Sequence, residues 1–223
     1  MASMKFPNEN QGYREARDKL LKAEIDLREQ VERVAAMRRA LPRGGALKQD
    51  YEFDEIGPDG NKRGVRLSEL FQGSKDSLFL YSLMYGPKME DPCVMCSSIV
   101  DALNGNARHI SERINLAVVA RSPIERIIAF AKPRGWNSVR LLSSANNTYH
   151  PDYFGETADG EQYPMANVFV KRGGQIDHFW GTEMLYADLE GQPRHMDLMW
   201  PLWNVFDTTP GGRGTDWYPS LNP

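Results

Sequence analysis

Ser77-Leu78-Phe79-Leu80-Tyr81-Ser82-Leu83-Met84-Tyr85, followed after a short turn by Pro92-Cys93-Val94-Met95-Cys96, decides the fold. The first stretch is apolar at nearly every position. A strand that is apolar on both faces is buried on both faces, as in the middle of an α/β sheet. Beyond Pro92, the residues Cys96, Ile99, Val100 and Leu103 recur at i, i+3, i+4 and i+7, the inner face of a helix. Two cysteines three positions apart therefore stand where a buried strand passes into an amphipathic helix.

That position carries chemistry. On the first turn of a helix, residues three apart hold their Cα atoms within the ~4.4–6.8 Å that a disulfide requires. The first thiol meets the positive end of the helix dipole, which favours the thiolate. Cys93 is then the exposed nucleophile, and Cys96, in register with the inner face, the resolving thiol. Glu90 and Asp91 just upstream oppose this if they fold over the sulfur, and burial by Val94 and Met95 acts in the same direction. Two other readings stay open. In one, both cysteines are small hydrophobes in a core, on a protein that binds or scaffolds. In the other, they belong to a metal or small-ligand site with His178, His195 or Glu183. Zinc needs two more ligands, and His109, His150, His178 and His195 show neither an HxxxH nor a second CxxC spacing. His195 does stand two residues before Asp197. No metal and no organic cofactor is expected.

Working outward, Leu116–Ala120 reads as the next buried strand, and Ser122-Pro123-Ile124-Glu125 as a helix start with Ser122 at the cap. Asn104-Gly105-Asn106 is expected to interrupt the helix that follows the dithiol. Val139–Leu142 is a third strand, and the polar stretch from Ser143 to Glu161 reads as a long surface loop. Asn167–Val170, Gly173-Gly174 and Ile176–Trp180 make a hairpin. Before the sheet, Tyr51, Phe53 and Ile56 form a short strand, a turn follows at Gly57–Gly60, and Val65–Phe71 leads back to the core. The tail holds Trp200, Trp203, Phe206, Trp217 and Tyr218, and that much aromatic surface is expected to fold back onto the body.

From Tyr13 to Leu41 the chain is a charged helix in which Tyr13, Leu20, Leu27, Val34 and Leu41 repeat every seven residues. It packs along its own domain or, in the sharper reading, forms a seam with a second copy. The 223 residues divide into 1–45, an N-terminal amphipathic helix extension, and 46–223, an α/β domain with the aromatic tail.

A net charge of −3 argues against a nucleic-acid surface. No apolar run approaches the ~18 residues of a membrane span, and the first ten residues lack the apolar core of a signal peptide. The expected location is the cytoplasm, where a lone cysteine pair is more often redox-active or metal-binding than a structural staple.

Several motifs resemble those of a bacterial group of thioredoxin-like proteins, domain of unknown function 899, loosely described as alkyl-hydroperoxide-reductase-like. They are Lys48-Gln49-Asp50-Tyr51-Glu52-Phe53, Cys93-Val94-Met95-Cys96-Ser97, Arg134-Gly135-Trp136, Pro164–Val170 and His178–Glu183. The tail adds Trp200–Asp207 and Gly212-Arg213-Gly214-Thr215-Asp216-Trp217. The resemblance implies a thioredoxin-like mixed sheet flanked by helices and leaves the activity open. Thioredoxins proper resemble Trp-Cys-Gly-Pro-Cys, whereas here Pro92 precedes the pair and Val94-Met95 fill it. Peroxiredoxins carry Pro, then Thr or Ser four on and Cys seven on; from Pro87 those positions are Asp91 and Val94, which argues against hydroperoxide reduction. In thioredoxins a cis-proline faces the dithiol. Pro164 stands where such a substrate-contacting residue belongs, the alternative being a trans proline at a strand start. The function this supports is a thiol-disulfide oxidoreductase acting on a protein or small-molecule disulfide.

Overall fold

The structure, a computed structural model, describes residues 4–187, 200–212, 214 and 217–221. The chain divides into two compact units, Met1–Pro42 and Arg43–Pro223.

The first unit is built on α1 (Gln11–Arg39), a 29-residue helix with no buried residue. An exposed helix needs local support, and the sequence supplies it. Asn10 accepts from the Tyr13 N–H at 2.9 Å as the N-cap, and Arg38 and Arg39 meet the negative end of the dipole. Arg14–Asp18, Arg28–Glu32 and Arg33–Glu29 pair one turn apart.

The second unit holds β1 (Glu52–Ile56), β2 (Lys62–Arg66), β3 (Ser77–Leu83), α2 (Val94–Arg113), β4 (Asn115–Ala120), α3 (Ile124–Ala131) and β5 (Arg140–Ser143). A short α4 (Tyr149–Asp152), β6 (Met165–Arg172), β7 (Gln175–Gly181) and α5 (Pro201–Phe206) complete it. The seven strands form one mixed sheet in the order β2-β1-β5-β4-β3-β6-β7. β3, β4 and β5 are parallel, joined through α2 and α3, while β6 runs antiparallel to β3 and β7 to β6. The β6–β7 turn places Gly173 and Gly174 at φ 59° and 82°, left-handed values that glycine adopts without strain.

Two layers follow from strand periodicity. In the fully buried β4, Leu116, Val118 and Ala120 face a core shared with Tyr81, Leu83, Cys96, Ile99, Val100 and Ile127. Ala117 and Val119 face the other way, toward Tyr51, Phe53, Leu80, Tyr149 and Phe169. The sheet thus separates a helix-covered dithiol face from an aromatic face.

Three expectations are corrected. The helix after the dithiol runs unbroken through Asn104-Gly105-Asn106. Asn104 donates to the Gly135 carbonyl at 3.1 Å and accepts from the Ser138 N–H at 2.9 Å, and buried Ala107 continues the apolar face. These contacts outweigh the ~1 kcal/mol that a helical glycine costs. Ser122 is not a cap: Pro123 holds that position, and the Ser122 hydroxyl donates to the Gly86 carbonyl at 3.1 Å. The stretch from Ser143 to Glu161 is no surface loop, because Tyr149 and His150 are fully buried. Tyr149 packs edge-on to Tyr51 and Phe53.

The tail returns to the body through part of its aromatics, while Tyr218 stays exposed. Trp200 and Trp203 are buried in the dithiol-face core, and Trp200 Nε1 donates to Ser98 Oγ of α2 at 3.2 Å. Trp217 stacks edge-on to Trp203 and Phe206 yet stays 47% exposed. No helix among the described residues is long and apolar enough to cross a membrane.

Candidate active site

β3 ends at Leu83, and the chain loops through Gly86 and Pro87 before entering α2. Three contacts hold that loop. The Cys93 N–H donates to the Met84 carbonyl at 3.0 Å, the Ser122 N–H to the Tyr85 carbonyl at 2.8 Å, and the Ser122 hydroxyl to Gly86. Arg126 of α3 donates to the carbonyls of Met89 and Glu90 at 2.7 and 3.1 Å, with its guanidinium 4.8 Å from the Tyr85 ring centre. The helix start is therefore fixed from below by β3 and from the side by α3.

Cys93 is the N-cap residue of α2 and is half-buried; Cys96, one turn on, is buried. Both are free thiols, 3.7 Å apart. The Cys96 thiol donates to Cys93, and this, with the backbone N–H groups of Cys96 and Met95 at the helix start, pulls the Cys93 pKa down to about 6 against the opposing effect of burial. Glu90 and Asp91 are exposed and take no part in that balance. The same contact and complete burial push Cys96 well above the ordinary thiol range. One sulfur is thus poised as a thiolate and the other kept as a thiol, the asymmetry a nucleophile and its resolving partner require.

Tyr81 was not singled out by the sequence. It is fully buried on the dithiol face, and its hydroxyl makes no completed hydrogen bond. The group it faces is the Cys96 sulfur, with Cys93 next. Strand parity places Tyr81 and Leu83 on one face, but only the packed fold turns that hydroxyl to the sulfur.

The remaining sequence candidates lie elsewhere. His178 Nε2 donates to Asn167 Oδ1 at 2.8 Å, and the ring stacks on Tyr153, beside Phe169 on the aromatic face, across the sheet from Cys96. His150 is buried against Ser144, and His109 is exposed beside Glu112 on α2. Glu183 opens a short turn after β7. His195 and Asp197 lie outside the described residues, as do Arg213, Thr215 and Asp216 of the tail motif. Among the described residues, no three His, Cys, Asp or Glu side chains come together as a metal site. Pro164 directly precedes β6 with a trans peptide, so it is a proline at a strand start, not a cis-proline. Beside the dithiol loop is a cavity of about 380 Å³ walled by Met84, Gly86, Lys88, Met89 and Gln162.

A parallel β3-β4-β5 core with an antiparallel β6–β7 hairpin, and a dithiol where β3 passes into α2, defines a thioredoxin-like α/β protein. The chain belongs to a family described as bacterial proteins of unknown function, DUF899, which matches residues 3–222. Among curated proteins none matches. Solved structures that it resembles include a reduced 2-Cys peroxiredoxin of Plasmodium vivax at 18% identity and TM-score 0.45, covering 60% of this chain and 82% of that one. Thioredoxin peroxidase I of Plasmodium yoelii is 15% identical at TM-score 0.48, covering 80% and 100%. AhpC of Enterococcus faecalis is 13% identical at TM-score 0.46, covering 77% and 97%.

Proposed function

We propose that this protein is a thiol-disulfide oxidoreductase of the reducing cytoplasm, with Cys93 the nucleophile and Cys96 the resolving thiol. The observation that carries this reading is two free thiols 3.7 Å apart at the start of α2, Cys93 half-buried at the N-cap and Cys96 buried one turn on. The Cys93 thiolate attacks a disulfide R–S–S–R′, forming Cys93–S–S–R and releasing R′S⁻, which takes a proton. Cys96 then attacks the Cys93 sulfur and loses its proton, the Cys93–S–R bond breaks, and RSH leaves. A dithiol reductant restores the starting state. Pro164, trans at the start of β6, remains part of this proposal as a substrate contact. No organic cofactor, metal or nucleic acid enters it.

The test is a chromogenic aryl disulfide added to reduced native protein. Two equivalents of aryl thiol in two phases, ending in a Cys93–Cys96 disulfide, are expected. Cys93→Ser should abolish the rapid phase. A native protein that yields its thiols only after denaturation would leave the dithiol a packing feature and favour a scaffold.

A homodimer completes the proposal. The heptad row on α1 leaves Leu20 and Leu27 48% and 64% exposed, and a second copy paired along that row would cover them.

A further inference from the structure

Resolution asks something of Cys96 that the first attack does not ask of Cys93. A buried sulfur must lose its proton away from bulk solvent, and once Cys93 is in a mixed disulfide its thiolate no longer accepts from Cys96. The groups facing the Cys96 sulfur are Cys93, the Tyr81 hydroxyl and the backbone N–H of Met84. Among the described residues no carboxylate or amine is one of them, so none of these takes the proton by acid–base exchange. What is present are donors, which stabilise the charged sulfur.

Tyr81 is the unusual one. A buried hydroxyl without a completed hydrogen bond carries a desolvation cost of about 1–3 kcal/mol, and such a group calls for an explanation. Its ring sits in the same core as Cys96, Leu83 and Val100, and the hydroxyl is fully enclosed. While Cys96 is a thiol it is a poor acceptor, and the hydroxyl has little to donate to.

We infer that Tyr81 is the positioning residue of the resolving step: its O–H donates to the Cys96 sulfur as that sulfur loses its proton and turns on the Cys93–substrate disulfide. The inference rests on the oxidoreductase reading. Tyr81 keeps its own proton throughout, because burial and the neighbouring sulfurs hold its ionisation well above the ordinary phenol range. The S–S bond between Cys93 and Cys96 forms, the bond from Cys93 to the substrate sulfur breaks, and the Cys96 proton passes to the departing sulfur. With an acidic leaving thiol it passes to solvent.

Tyr81→Phe removes the hydroxyl and nothing else. Because the oxygen has no completed partner, the melting temperature should hold within a few degrees. With the aryl disulfide reagent, release of the second equivalent should slow about ten- to hundredfold, the fold-change for one hydrogen bond to a charged group. The first phase should keep its rate to within about twofold. As an independent readout, thiolate absorbance near 240 nm in Cys93→Ser should show the Cys96 pKa rising by about one unit when Tyr81→Phe is added. A second phase and a Cys96 pKa that both match the wild-type background would overturn the inference while leaving the oxidoreductase reading intact. Slowing of both phases together with a fall in melting temperature would make the hydroxyl structural and also overturn it. A wild type that releases no second equivalent defeats the reading of the dithiol itself.

Discussion

The buried thiol of Cys96 donates to the half-buried sulfur of Cys93 across 3.7 Å, so one contact lowers the first acid and raises the second. Alkylation by iodoacetamide reads this directly. The rate at Cys93 should rise with pH to a plateau with a midpoint near pH 6, where a free cysteine has its midpoint near ~8.5. Cys96→Ala removes the donor to Cys93, so the midpoint should move upward, toward the free value. A Cys93 that reacts no faster than free cysteine at neutral pH in either protein would remove the nucleophile from the proposed mechanism.

The tail is a structural part of the dithiol face. Trp203 is 7% exposed and stacks edge-on to Trp200, whose indole N–H reaches Ser98 of α2. Trp203→Ala should cost about 3 kcal/mol, roughly 6–12 °C in melting temperature for a unit of this size. An unchanged melting temperature would show that the aromatic tail adds nothing to the core it covers.

How much of this was legible in the sequence depended on whether a residue's role follows from local periodicity. The strand before the dithiol, the start of the helix after it and the hairpin are read from apolar spacing and the Gly173-Gly174 turn, and each forms there, although the helix runs on past the expected break at Asn104-Gly105-Asn106. The asymmetry of Cys93 and Cys96 is equally local, because Cys93 is the cap residue at the helix start while Cys96 is in register with the buried Ile99 and Val100. Tyr81 was hidden in an apolar run, since nothing in the run says which way a hydroxyl points. Ser122 looked like a cap because the cap signature is local, whereas its partner Gly86 is 36 residues away. The polar composition of Ser143–Glu161 concealed Tyr149 and Tyr153. Their ring contacts with Tyr51, Phe53 and Phe169 exist only after β1 and β6 have joined the sheet.

On α1 the apolar row and the absence of any buried residue make an independent expectation. Replacing Leu20 and Leu27 together by Lys should leave the helical content nearly unchanged, since Lys and Leu have similar helix propensities. It should abolish self-association measured by sedimentation. A wild-type protein that stays monomeric at high micromolar concentration would remove the second copy from the proposal.

His150 sits behind the sheet with its Nδ1 in a 2.5 Å hydrogen bond with Ser144 Oγ and its Nε2 without a partner. Burial, helped by the charge of Arg121, depresses its pKa to about 3. Arg121 is held there by Glu156 at 2.8 Å and by the carbonyls of Ala145 and Asn147. The ring is therefore neutral in the folded protein across the working range, while in the unfolded chain it protonates near pH ~6.5. A base whose folded pKa is depressed contributes its full share of stability above the unfolded value. That share is lost as pH falls below it, because the unfolded chain takes up the proton first. Between pH 7 and pH 5 this one residue should withdraw about 2 kcal/mol. Cys93 acts in the same window with the same sign, since its folded pKa is also depressed, so the measurement belongs in a Cys93→Ser background. There, denaturant unfolding at pH 7, 6 and 5 should show stability falling with pH, and His150→Asn, which keeps a side chain able to bond Ser144, should flatten the slope. A slope that His150→Asn leaves unchanged would mean the ring is protonated in the folded state and that the enclosed site behind β3 and β5 admits a charge.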